Sequence, residues 1–191
     1  MLYCPKEVKF MISISYSTMV AIISSLWILN RVWIYRKNGT ISWKRELQLM
    51  LVYICIVVIV RFTFCPFAKV DGKVQPLLFY PDNWFPFRVN FRPFVYLFDY
   101  PTMKEILLNL IGNTIMFIPV GIVWPIVYKQ LDKPWKVIAA GMGFSLCIEI
   151  IQLPFYDRVS DVDDLILNSV GYLIGYGIYC FIKTIQKKSR P

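Results

Sequence analysis

Glu149, Gln152, Arg158, Asp161, Asp163, Asp164 and Asn168 crowd into one short part of a chain that is 57% hydrophobic and only 17% charged. The sequence contains no His, which removes the usual general base near neutral pH and any His metal site. Chemistry must therefore rest on carboxylates, Lys, Arg, Tyr or Cys. A carboxyl inside an apolar run, as Glu149 is, suits a general acid or base when paired with carboxylates in wetter surroundings. Asp161, Asp163 and Asp164 offer the oxygen ligands that a divalent cation takes. Arg88, Arg92 and Arg158 suit charge-assisted hydrogen bonds to an anionic headgroup, with Asn90, Asn109, Asn113, Gln152 and Asn168 supplying amide contacts. No motif asks for a cofactor.

These residues need elements to position them, and composition points to a membrane. An ordinary soluble domain is about half apolar even with Gly counted. This 191-residue chain exceeds that without Gly. The net charge of +9 is not a nucleic-acid signature, because the basic residues lie in short clusters between apolar runs and no nucleic-acid module is present. Five runs approach the ~20 residues that a spanning helix needs: Phe10 to Leu29, Leu47 to Phe67, Glu105 to Tyr128, Trp135 to Phe155 and Asp164 to Ile182. The predicted class is all-α: a pair of N-terminal spans within 1–66, a long connection over 67–104, and a three-helix region with a basic tail over 105–191.

The first run lacks a small-residue cleavage site and reads as a retained helix. Arg31, Arg36, Lys37, Lys44 and Arg45 follow it, Lys129, Lys133 and Lys136 follow the third span, and Lys183, Lys187, Lys188 and Arg190 end the chain. The positive-inside rule makes these cytoplasmic, against the minority Lys6 and Lys9, and puts the N-terminus and the acidic loop outside. The long connection, rich in Pro and in aromatics such as Trp84, Phe85, Phe87, Phe91, Phe94 and Tyr96, is predicted to lie along the outer membrane surface. Of the five Cys, those within spans read as small hydrophobes. Cys4 and Cys65 fall on one side of the membrane, where a bridge is compatible with topology but not established by spacing.

Periodicity places the polar groups on faces. Glu105, Asn109 and Asn113 recur every four residues; Ser145, Glu149 and Gln152 follow i, i+4, i+7; Asp164, Asn168, Gly171 and Gly175 follow i, i+4, i+7, i+11. Lipid offers these stripes no partner, so they must face the protein interior or a wet cavity. Asp161 and Asp164 also suit the N-terminus of the last helix. Gly171 with Gly175, and Gly141 with Gly143, predict close helix packing, and Pro119 and Pro125 predict a bend.

The fragments "RVNFRPF" (88–94), "NLIGNTIMFIPVG" (109–121), "SLCIEIIQ" (145–152) and "RVSDVDDLILNSVGYLIG" (158–175) resemble, in order and spacing, the VanZ-like family, named for a bacterial teicoplanin-resistance protein. The resemblance covers roughly 88–175. It implies a multi-pass protein of the bacterial plasma membrane and marks Arg88, Asn90, Pro93, Phe94, Asn109, Asn113, Pro119, Gly121, Glu149, Gln152, Arg158, Asp161, Asp164, Asn168 and Gly171 as shared positions. Three functions fit. A binding protein would recognise a lipoglycopeptide or a lipid-linked wall precursor among membrane lipids. An enzyme would act on such a lipid through Glu149. An ion-coupled transporter is disfavoured by the absence of internal repeats.

Overall fold

The computed structural model describes residues 11–65, 69–70, 73–80, 88–95, 102–131, 133–156 and 158–189. Its five long helices are α1 (Tyr16–Asn38), α2 (Trp43–Phe64), α3 (Met103–Val127), α4 (Pro134–Gln152) and α5 (Val162–Lys188). Each is long and apolar enough to cross a membrane. Local chemistry sets their ends: Ser15 and Thr102 accept backbone N–H bonds as N-caps of α1 and α3, Pro134 opens α4, and Gly39 ends α1 at φ 70°.

The helices extend further into the basic clusters than hydrophobicity alone predicts. α1 begins at Tyr16 and continues through Arg31, Arg36 and Lys37, and α5 runs through Lys183, Lys187 and Lys188. Cations complement the negative C-terminal end of a helix, and their long stems carry the charge past the apolar layer. Residues expected in loops therefore prolong the spans. α3 is continuous through Pro119 and Pro125.

Short strand pairs, which periodicity does not signal, tie the loops together at the end opposite the basic clusters. β1 (Ile12–Ile14) pairs antiparallel with β4 (Leu77–Phe79), and β2 (Lys69–Val70) with β3 (Lys73–Val74). β5 (Val89–Asn90) lies parallel to β6 (Ser160–Asp161), joining the long connection to the entry of α5. The connection is thus partly folded onto the bundle: Leu77 is buried, and Phe79 stacks edge-on against Phe155. Phe91 and Phe94 are exposed, whereas Trp84, Phe85, Phe87 and Tyr96 lie outside the described residues, as does Cys4 of the conceived bridge.

The main seam joins α3 to α5 and is made by glycine. A Cβ on Gly171 would stand 1.9 Å from the Thr114 carbonyl oxygen, one on Gly175 2.1 Å from that of Ile118, and one on Gly121 2.1 Å from that of Tyr172. Gly141 of α4 makes room for the Tyr172 ring, at 2.4 Å from a built Cβ; Gly143, expected in the same role, faces open space. Around this seam Ile59, Phe117, Val120, Val137 and Tyr172 form the apolar core. α1 is peripheral, with no buried residue. It touches α2 through the Ser24–Tyr53 hydroxyl pair at 2.7 Å and the Arg31–Glu46 ion pair.

Candidate functional site

The site grows from the last turns of α4. Ser145, Glu149 and Gln152 are buried on its inward stripe, and the chain after Gln152 turns back over them. The Tyr80 N–H donates to the Pro154 carbonyl and the Tyr156 N–H to that of Leu78, and Arg88 Nη2 donates to the carbonyls of Phe155 (2.9 Å) and Tyr156 (2.5 Å). The turn dips far enough for Ser160 Oγ and the Asp161 N–H each to donate to Glu149 Oε2 at 3.0 Å. Glu149 is therefore the post that anchors β6.

From β6 onward each acid has its own partner. Asp161 caps α5 by accepting from the Asp163 N–H at 2.9 Å and also accepts from Asn90 Nδ2 at 3.0 Å. Asp163 accepts from the Phe94 N–H at 2.9 Å, which holds Phe94 in the left-handed region at φ 60°. Asp164 accepts instead from Asn113 Nδ2, linking α5 to α3. One turn deeper Asn168 Nδ2 donates to Ser145 Oγ at 2.9 Å, and Gln152 Nε2 donates to the Thr63 carbonyl at 2.7 Å. The three Asp proposed for a cation thus face different ways. Among the described residues no group of three or more His, Cys, Asp or Glu is placed to hold a metal.

Between α2, α3, α4 and α5 lies a cavity of about 290 Å³ lined by Asn109, Asn113, Glu149, Gln152, Arg158, Asp164 and Asn168, with Phe62, Thr63, Glu105, Leu108, Gly112 and Met116. Seven candidates chosen from sequence therefore share one space. Arg88, Asn90, Arg92 and Asp161 do not line it: Arg88, Asn90 and Asp161 build the loop frame above it, and the Arg92 N–H donates to Asn90 Oδ1 at 3.0 Å. An anionic headgroup held by three arginines loses two of them, leaving Arg158. Thr63 and Ser160 escaped notice because a lone hydroxyl residue in or beside an apolar run carries no spacing signal. Glu149 and Gln152 reveal both once the backbone is in place.

Five apolar helices, four of which bound a polar cavity near one end, define a multi-pass helical membrane protein. The VanZ/LLP1 family model matches residues 50–183, and the chain belongs to that family. Over 71 residues it is 35% identical to "Protein VanZ" of Enterococcus faecium, a match covering 37% of this chain and 44% of the relative. The chain thus spans less than half the length of that curated relative. No solved structure matches.

Proposed function

We propose that the protein binds an amphiphile in this cavity from the outer face of the bacterial plasma membrane, and so lowers sensitivity to lipoglycopeptides such as teicoplanin. The observation that carries the reading is the cavity itself: Asn109, Asn113, Glu149, Gln152, Arg158, Asp164 and Asn168 line one space of about 290 Å³ whose remaining wall includes the apolar Phe62, Leu108 and Met116, the mixed lining that suits an amphiphile. The positive-inside rule applied to the basic ends of the helices supports a cavity in the outer half.

The test uses Glu149→Gln, Arg158→Ala and Asp161→Asn in a teicoplanin-sensitive Gram-positive host, with membrane abundance measured beside drug sensitivity. The amide introduced by Glu149→Gln retains a carbonyl for Ser160 and Asp161, so this variant and Arg158→Ala are expected to lose protection at near-normal abundance. Asp161→Asn, in the frame, is expected to lose protection in step with abundance. Protection that tracks abundance in all three ends the ligand-site reading. Incubation with labelled undecaprenyl-linked precursor separates binding from catalysis: saturable binding without product supports this proposal, and product that vanishes in Glu149→Gln supports an enzyme.

A further inference from the structure

The end of the bundle opposite the polar cavity carries a second concave space of different chemistry. Where α2 begins and α3 ends, Ser42, Lys44, Arg45, Gln48, Lys129 and Gln130 line a pocket of about 480 Å³. Arg45 is fixed there: its Nη1 donates to the Val127 carbonyl, and its guanidinium lies 5.8 Å from the centre of the Tyr128 ring. That bond satisfies one of the carbonyls left over at the C-terminus of α3. Ser42, the N-cap of α2, makes no side-chain bond to the first turn, so the positive end of α2 adds to the field of the pocket. Of the described acids, Glu46 alone stands at this end, and Arg31 takes both of its oxygens. Lys44 and Lys129 have no ion pair among the described residues. Between Lys129 and Lys136 the sequence supplies one acid, Asp132, against three lysines.

A topology signal asks only that cations stand at this end, as the exposed Lys37 and Lys188 do outside the pocket. Lys44, Arg45 and Lys129 instead share one concavity, and that concavity adjoins an apolar one. Ile126 and Lys129, one turn apart on α3, also line a crevice of about 660 Å³ between α3 and α5. Its wall includes Ile122, Pro125, Leu131, Tyr176 and Ile182, together with Lys183. From Ile122 to Lys129 the crevice follows α3 for about 10 Å at 1.5 Å per residue, into the apolar span. A cationic pocket between membrane helices suits a phosphate headgroup. The crevice beside it suits a hydrocarbon chain attached to that phosphate, which a free anion lacks.

We infer that this pocket holds the phosphate of an anionic phospholipid from the leaflet at the basic end, with Lys44, Arg45 and Lys129 as its cationic contacts and one acyl chain in the α3–α5 crevice. The test titrates the full chain in dodecyl maltoside micelles with phosphatidylglycerol, phosphatidylcholine, glycerol phosphate and inorganic phosphate, following the thermal unfolding midpoint. Phosphatidylglycerol is expected to raise the midpoint saturably. Lys44→Gln combined with Lys129→Gln is expected to need roughly 25-fold more of it, about fivefold for each cation lost. Lys37→Gln combined with Lys188→Gln removes the same charge from the same end outside the pocket, and is expected to respond as the parent does. All four lysines are exposed, so both double variants are expected to fold normally. Equal weakening in the two double variants reduces the effect to net charge and overturns the pocket, as does a parent-like response in the Lys44/Lys129 variant. Phosphatidylcholine acting at the same mole fraction as phosphatidylglycerol overturns selection by charge. Glycerol phosphate or inorganic phosphate acting at the concentration of the lipid overturns the lipid as the source of the phosphate. No response to phosphatidylglycerol overturns the site altogether.

Discussion

Gly171→Ala is the most direct probe of how the bundle supports the site. The added Cβ would lie 1.9 Å from the Thr114 carbonyl oxygen and 2.8 Å from its carbon. Both belong to the backbone of α3 and cannot rotate aside. Restoring even a 3.0 Å contact moves the helices apart by about 1.1 Å at that level. The Asn113–Asp164 bond joins the same two helices on the site side of the clash, so it opens with them. Overpacking costs about 1–3 kcal/mol, and a lost buried hydrogen bond adds about 1 kcal/mol. For a chain of this size the sum lowers the unfolding midpoint by on the order of 10 °C. The assay is thermal unfolding in detergent beside Gly177→Ala on the same helix, where a Cβ meets nothing within 4 Å. That control is expected to be neutral, or more stable by up to about 1 kcal/mol. Equal midpoints for Gly171→Ala and the parent, or equal losses for both variants, would refute the glycine seam.

Arg88→Ala frees the carbonyls of Phe155 and Tyr156 and is expected to cost about 2–3 kcal/mol, because hydrogen bonds from a charged donor exceed neutral ones; faster proteolysis between 153 and 161 is the readout. Phe94→Gly removes a left-handed non-glycine residue that is 45% exposed, and is expected to raise stability by about 1 kcal/mol; a lower unfolding midpoint would show that the ring packs usefully. For topology, Cys introduced at Val159 is expected to react with a membrane-impermeant thiol reagent in intact cells and Cys at Lys187 is not, after Cys4 and Cys65 are replaced. Labelling at 187 reverses the orientation.

The helices were legible because a membrane imposes one rule on every span, and the polar stripes because a helix repeats its faces. Ser145, Glu149 and Gln152 came out buried together, and Asn168 meets Ser145 across α4 and α5. What escaped depends on backbone position away from the helices. The parallel bonding of Val89–Asn90 to Ser160–Asp161 brings together segments 71 residues apart, with no alternation long enough to announce a strand. Arg88 looked like a ligand contact because an Arg beside aromatics often is one. Its guanidinium instead satisfies two carbonyls that the turn after α4 would otherwise leave bare. The acids of the 161–164 run likewise looked convergent in sequence, but successive residues at the start of a helix point about 100° apart, and each found a different partner.

The glycine seam has a consequence for biogenesis. α3 packs most extensively on α5, although α4 lies between them in sequence. Translation delivers the chain from its N-terminus, so α3 enters the bilayer with its small-residue face unmatched and Asn113 without Asp164. Both wait until α4 has inserted and α5 follows. β6, the cap of α5 and the floor contributed by Asn168 arrive in the same late segment. A nascent chain arrested before Ser160 already holds four hydrophobic helices in the membrane, yet has no closed cavity and leaves Glu149 without the two donors that anchor its carboxylate. Completion of the site thus waits for β6 and α5, which bring the partners of Glu149 and Asn113.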